Sequence, residues 1–270
     1  MKHHKLYLTL LISFVLILNQ NFFPFHQTMA HSRYIPKKSL ISVEKFEKLA
    51  FQVCSIKEVS LLAKAKKPSY EFSGDFGGET LRKSCGQFVA NYKIDDLVNK
   101  QIFALSNLNP VRIAGIKSEY LTLGFNDEHK SGQAIAITPV DRVENGLIFN
   151  LKCEKRKDKY LELVDYDVFD SLEVTSATII DVITSTSTLR SFIILHFGDN
   201  IYDLALVPGF LKGHKDQYLN MQVPVITNVK IEELEVPNVT CIAFAVPVDD
   251  DKNVTLMKID KKVHNNLPMF

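Results

Sequence analysis

At 270 residues the chain has room for one large domain or for two modules of about a hundred residues each. Lys+Arg 32 and Asp+Glu 31 nearly cancel, so the chain as a whole is not a polycation, and a polyanion-binding face has to come from uneven placement of charge. Residues 165–270 carry eight basic against 15 acidic side chains, which excludes them as that face and leaves residues 43–150, with 14 against 13.

Leu6 to Leu18 is an apolar run behind Lys2, His3, His4 and Lys5. It is short for a membrane-spanning helix and suits the apolar core of a secretory signal, with Thr28-Met29-Ala30 offering small residues for cleavage. His31 to Ser42 is basic and free of acid, with Arg33, Lys37 and Lys38. A signal followed by such a stretch resembles the two-part leader of proteins sent by the secretory route to a complex plastid; secretion and an uncleaved anchor are the alternatives. Residues 1–42 are therefore expected to stay out of the fold.

Beyond the leader, helix signals are scarce, Ser42–Ala50 and Ile94–Asn99 being the best. Segments such as Thr178–Thr184 and Cys241–Val246 are rich in Val, Ile, Thr and Phe, are bounded by turn residues, and predict short strands at barrel-like spacing. The most informative stretch is Asn107–Gly124. Strand-like Gln101–Ser106 and Tyr120–Phe125 flank a connection that carries Arg112, Lys117 and Ser118. Short strands joined by a cationic loop present fixed positive charge to a phosphate backbone, although the same pattern also describes an ordinary loop with solvated charges.

Asn107, Pro110, Arg112-Ile113-Ala114-Gly115, Lys117-Ser118-Glu119, Leu121 and Leu123-Gly124 resemble the signature of the CsaA-type export chaperones, part of the wider tRNA-binding-domain family that includes EMAPII-like modules. Lys66-Lys67-Pro68-Ser69-Tyr70, Gly74-Asp75-Phe76-Gly77, Lys83-Ser84-Cys85-Gly86-Gln87, the run Tyr92–Gln101 and the turn Thr138–Gly146 extend the resemblance in order from Ser42 to Phe149. It implies a five-stranded Greek-key barrel of the OB type, and a homodimer.

The second half repeats the first. Phe46–Leu49 corresponds to Phe169–Leu172, Ile56–Val59 to Ile180–Ile183, Tyr70–Gly77 to Phe192–Asp199, Ile102–Asn107 to Val223–Asn228, and Val143–Gly146 to Val263–Asn266. The expected fold is all-β: two tandem OB barrels with a few short helices, arranged like a dimer fused into one chain. The parts are a leader over 1–42, a CsaA-like domain over 43–149, a linker over 150–165 with a solvated basic run Lys155–Lys159, and a degenerate second barrel over 166–270. Carrying the Asn107/Asn228 register forward puts Glu233 at the Arg112 position, Glu235 at Ala114, Val236 at Gly115, Asn238 at Lys117 and Val239 at Ser118. A carboxylate in place of the guanidinium repels phosphate, so binding is expected in the first barrel alone.

Lys66, Lys67, Lys83, Arg112 and Lys117 are the expected phosphate-binding cations, and Asn107, Gly115, Ser118 and Glu119 supply hydrogen bonds and loop order. Tyr70, Phe88, Tyr92 and Tyr120 are available for stacking or for the core. The expected function is non-catalytic binding of tRNA or another structured RNA. A chaperone for unfolded polypeptides and a non-binding scaffold are the alternatives; an aminoacyl-tRNA synthetase is a further candidate partner, and renewed homo-oligomerisation stays open. The sequence has no Walker loop, no Gly-x-Gly-x-x-Gly and no nucleophile elbow. Cys54, Cys85, Cys153 and Cys241 are widely spaced and the histidines unclustered, so no cofactor or metal is expected. Asp249-Asp250-Asp251 reads as a solvated hairpin tip, and the glycosylation-like triplets at Asn238 and Asn253 lie in strand-like text.

Overall fold

Two barrel modules are built from strands whose two faces serve different cores. In the first, α1 (Val43–Glu47) is followed by β1 (Phe51–Leu61), β2 (Tyr70–Asp75), β3 (Arg82–Gly86), α2 (Ile94–Leu97), β4 (Gln101–Leu105), β5 (Val111–Ile113), β6 (Ile116–Ser118), β7 (Leu121–Thr122), β8 (Gly124–Asp127) and β9 (Gln133–Pro139). In the second, α3 (Tyr166–Asp170) precedes β10 (Val174–Ser185), β11 (Arg190–Gly198), β12 (Ile201–Val207), β13 (Phe210–Leu211), β14 (Gln222–Ile226), β15 (Cys241–Ala243), β16 (Ala245–Pro247) and β17 (Asn253–Ile259). The computed structural model describes residues 32–130, 133–157, 162–234, 236 and 239–269. The expected signal Leu6–Leu18 and its cleavage site lie outside the described residues, as do Glu235 and Asn238.

The first module is a five-stranded sheet in the order β3-β2-β1-β4-β7, and the second a closed barrel in the order β10-β11-β12-β15-β14. Both are OB-type barrels. A third sheet, β13-β17-β9-β8, runs across both modules. The first half of β1, Phe51–Ile56, is buried on both faces: Cys54 and Ile56 fill the first barrel, while Phe51 and Val53 enter a core shared with the second module. Phe244 of the second module is the centre of that shared core, its ring centroid 4.9 Å from Phe51, 5.0 Å from Phe149 and 5.2 Å from Phe103. Offset and edge-to-face packing of this kind adds to the burial of the rings themselves.

The strand registers fix which residues correspond. A β-bulge falls between Ile56 and Glu58 and again between Ile179 and Asp181, so Ile56 corresponds to Ile179 and not to Ile180. Val59 faces Phe72 and Val182 faces Ile193, so Phe76 corresponds to Phe197, one position from the expected match. The slip runs through both β1 and β2, and the connection from Val59 to Phe72 is two residues longer than that from Val182 to Ile193. Gln101 donates to Asn145 and to the Val143 carbonyl, and Gln222 does the same to Asn265 and Val263.

The expected leader boundary is corrected as well. Tyr34–Ile41, read as leader, is packed against the second barrel, where Tyr34 and Ile41 are buried and Ile41 pairs with Val229. The segment before α3 crosses the other way, Val164 pairing with Leu108 of the first module. Each module thus receives the strap that precedes the other.

Candidate nucleic-acid interface

The connection between β4 and β7 folds into a small hairpin of its own, β5 against β6. Ala114 and Gly115 both have positive φ, 49° and 97°, which gives a two-residue loop the twist that matches its strands. An added Cβ at Gly115 would meet no atom, so the glycine is required by its backbone angle and not by crowding. Arg112 faces Lys117 across the ladder, while Val111 and Ile113 occupy the alternate positions at 55% and 42% exposure. Like charges placed opposite each other weaken a hairpin. Glu119 offsets the charge of Lys117 at 3.2 Å, and Arg112 adds an exposed cation beside that pair, where a bound anion would meet it.

Glu119 ties this ribbon to the barrel. Its carboxylate accepts from the Lys83 backbone N–H at 3.0 Å and from Lys117 Nζ at 3.2 Å, and its own N–H donates to the Lys83 carbonyl. Burial alone would raise the Glu119 pKa; the Lys83 amide, Lys117 and Arg82 outweigh it and hold the carboxyl below its ordinary value. Arg82, which is not among the expected site residues, is the deeper anchor. Its guanidinium donates to the Ser106 carbonyl at 2.6 Å and to the Glu119 carbonyl, and lies 4.8 Å from the centre of the Phe76 ring. Burial lowers its pKa. The hint in the sequence was an arginine beside a lysine: a guanidinium carries a planar set of donors fit for two carbonyls at once.

The expected site residues divide into three groups. Arg112 and Gly115 are exposed on the hairpin, Lys117 is exposed but paired with Glu119, and Lys83 is exposed and paired with Glu71 at 2.8 Å. Lys66 and Lys67 are exposed in the β1–β2 connection, at the end of the ladder where Tyr70 faces Gly86, whereas Lys83 faces Ser73 toward the other end. Three residues of strand, about 10 Å, separate those ends. Asn107 and Ser118 are inside. Asn107 is 3% exposed; its Oδ1 accepts from Ala50, and its Nδ2 donates to the Lys48 and Glu162 carbonyls. It staples α1 and the crossing strap to β4 and has no group left for RNA. Ser118 is buried, its hydroxyl 3.2 Å from that of Ser84. Tyr70, Phe88, Tyr92 and Tyr120 are all core residues.

Residues 51–147 match the family described as "Putative tRNA binding domain". That part of the chain belongs to the tRNA-binding-domain family. The methionine–tRNA ligase of Methanoregula boonei is 33% identical over 110 residues, 41% of this chain and 16% of the ligase. That of Listeria monocytogenes is 30% identical over 106 residues, 39% of this chain and 15% of the ligase. The chain therefore spans less than a fifth of these relatives. Two solved chaperones are also similar: CsaA of Picrophilus torridus, 35% identical with a TM-score of 0.38, and CsaA of Bacillus anthracis, 28% identical with a TM-score of 0.38. They cover 41% and 42% of this chain and each is covered in full.

The tRNA-binding domain and the second barrel differ most at the hairpin. The equivalent connection runs from Val229 to Thr240 and contains a 3-10 turn, Ile231–Leu234, with no paired strands among its described residues. Ile231 and Val239 are buried in the shared core, and Leu234 and Val236 pack against it. Val236 stands where the tRNA-binding domain has Gly115, and a β-branched residue does not tolerate the left-handed angle of the hairpin turn. The Lys83–Glu71 pair is also gone: register places Leu204 and Phe192 there.

Proposed function

We propose that the first barrel binds tRNA or a similarly structured RNA on the β5–β6 hairpin and catalyses no reaction. The observation that carries this reading is the cross-strand pair of Arg112 and Lys117 on an exposed ribbon that has no counterpart among the described residues of the second barrel. Membership of residues 51–147 in the tRNA-binding-domain family supports it. Lys66, Lys67 and Lys83 extend the positive charge over the neighbouring surface, and the neutralised phosphates release counterions on binding. Recognition through so few cations favours the shape of a folded RNA over the reading of bases. An aminoacyl-tRNA synthetase is a fitting partner, since the ligases named above carry the related segment within one chain.

The test is fluorescence anisotropy with labelled tRNA and the double variant Arg112→Glu/Lys117→Glu. Affinity should fall by at least about tenfold, as expected when cations become like charges toward phosphate; unchanged affinity overturns the site. A second reading, binding of unfolded polypeptide, is favoured by the exposed Val111 and Ile113 on the same ribbon. Capture of a reduced, unfolded client that is abolished by Val111→Ser/Ile113→Ser and spared by Arg112→Glu would select it.

A further inference from the structure

The second barrel has a hole where the first has a plug, and a segment from far along the chain fills it. Thr122 faces Ala104 and Ala243 faces Val225, which makes Cys241 the counterpart of Tyr120. Arg82 faces Gly74 and Asp203 faces Leu195, so Asp203 stands at the Arg82 position. In the first barrel Tyr120 packs on Phe76 at 5.1 Å, with the Arg82 guanidinium over both rings. In the second, a small thiol and a carboxylate replace them, and the ring that packs against Phe197, tilted by 35° with 4.6 Å between centroids, is that of Tyr34.

Two buried carboxylates hold this segment by its backbone and by its ring. Asp203, 7% exposed, accepts the Tyr34 backbone N–H at 3.2 Å. Glu173, 6% exposed, accepts the Tyr34 hydroxyl at 3.0 Å and the backbone N–H groups of Lys37 and Lys38 at 2.6 Å each; Thr227 adds its hydroxyl at 2.8 Å. Three of those four donors come from the segment. A buried carboxylate is costly unless hydrogen-bonded, so the site is incomplete without its occupant. Asn228 donates to the Ser39 carbonyl, and Ile41 exchanges hydrogen bonds with Asn228 and Lys230 as a bridging strand does. Burial and the Glu173 charge push the Tyr34 hydroxyl well above its ordinary pKa and keep it a donor.

We propose that the second barrel is a binding site for an extended, tyrosine-anchored polypeptide segment, occupied in cis by Tyr34–Ile41 of the same chain. The ring fills the space above Cys241, Glu173 reads the hydroxyl and two backbone amides, and Asp203 reads the amide of the anchor. A free peptide of this chemistry competes with the tethered segment. This inference is independent of the RNA reading, which concerns the first barrel.

The experiment uses the full chain and a labelled synthetic peptide of residues 32–42, followed by anisotropy and by mass-mapped alkylation of Cys241. Tyr34→Ala should bind the added peptide at least about tenfold more tightly than the parent chain, whose site is taken, the size expected for a buried aromatic anchor. Its Cys241 should be alkylated faster, and the peptide should restore protection. A peptide with alanine at the anchor should do neither. A folded Tyr34→Ala chain that takes up no peptide overturns the proposal. If that variant does not fold, hydrogen exchange on the parent chain decides: release of residues 34–41 ahead of β10–β12 supports an exchangeable ligand, and exchange only with those strands makes the segment an integral part of the barrel and overturns it.

Discussion

Thr138 faces Lys258 across the antiparallel ladder of β9 and β17, and each is the counterpart of the other, with Ile137 facing Ile259 and Met257 facing Pro139. A strand that pairs with its own copy about its midpoint marks a twofold axis, here relating two halves of one chain. That relationship makes the assembly isologous, and it governs how the molecule unfolds.

Because the aromatic core around Phe244 belongs to both modules, they should unfold together. Phe244→Ala should cost about 3–5 kcal/mol, the usual range for a buried phenylalanine. Hydrogen exchange in β1 and β10 should accelerate in parallel, and two separate denaturant transitions in the parent chain would count against a common unit.

Hairpin geometry gives a pair of opposite substitutions. Gly115→Val, the residue the second barrel carries, should weaken RNA binding by about tenfold while moving Tm little, since the ribbon lies outside the core. Ala114→Asn places a residue at ease with positive φ in the first turn position and should stabilise the hairpin by roughly 0.5 kcal/mol or more. Anisotropy for binding and amide protection at Ile116–Ser118 read the two effects. Equal RNA affinity in Gly115→Val would remove the ribbon from the interface.

Salt titration separates Arg112 from its neighbours. With five phosphates neutralised the log–log slope should lie between about −3.5 and −4.5, taking about −0.7 per contact for single-stranded and about −0.9 for duplex stretches. Arg112→Ala should lower its magnitude by a little under one unit for every RNA tested alike. A slope that does not move means that the guanidinium touches no phosphate.

Alkaline stability should report on Cys153. Burial raises its thiol from 9.0 to about 11, with Lys252 pulling modestly the other way. The folded value lies above the unfolded one, so its contribution is intact below about pH 9 and is lost as the pH climbs toward 11. Denaturant midpoints measured across that window should fall less steeply in Cys153→Ala than in the parent. Parallel curves would rule the thiol out as a contributor.

Much of this was legible in the residues, and the misses have physical causes. The β4 strand, the two helices at Val43–Glu47 and Ile94–Leu97 and the Val143–Gly146 turn follow from local patterning. The strap Tyr34–Ile41 did not, because its basic, acid-free text matches a leader and its partners Glu173 and Asp203 lie more than a hundred residues away. Asn107 was read as a ligand for RNA, although Asn228 held the clue. An amide kept in the copy whose basic loop has vanished is serving the fold, and Asn228 repeats the same staple with Glu173, Ser171 and Ser39. The one-residue slip at Phe197 begins at the start of the repeat, where Ile179 and Ile180 are both isoleucine and only backbone pairing tells them apart.

The reciprocal crossing of the two straps, Ile41 onto Val229 and Val164 onto Leu108, bears on how this molecule can be dissected. A fragment cut anywhere in the bridge between the barrels leaves each half without the piece that closes it and with a loose end made for the other. Interlaced halves also share a single gene, so a change on one side has no mirror image. That freedom let one barrel keep its charged ribbon while the other acquired carboxylates in its floor.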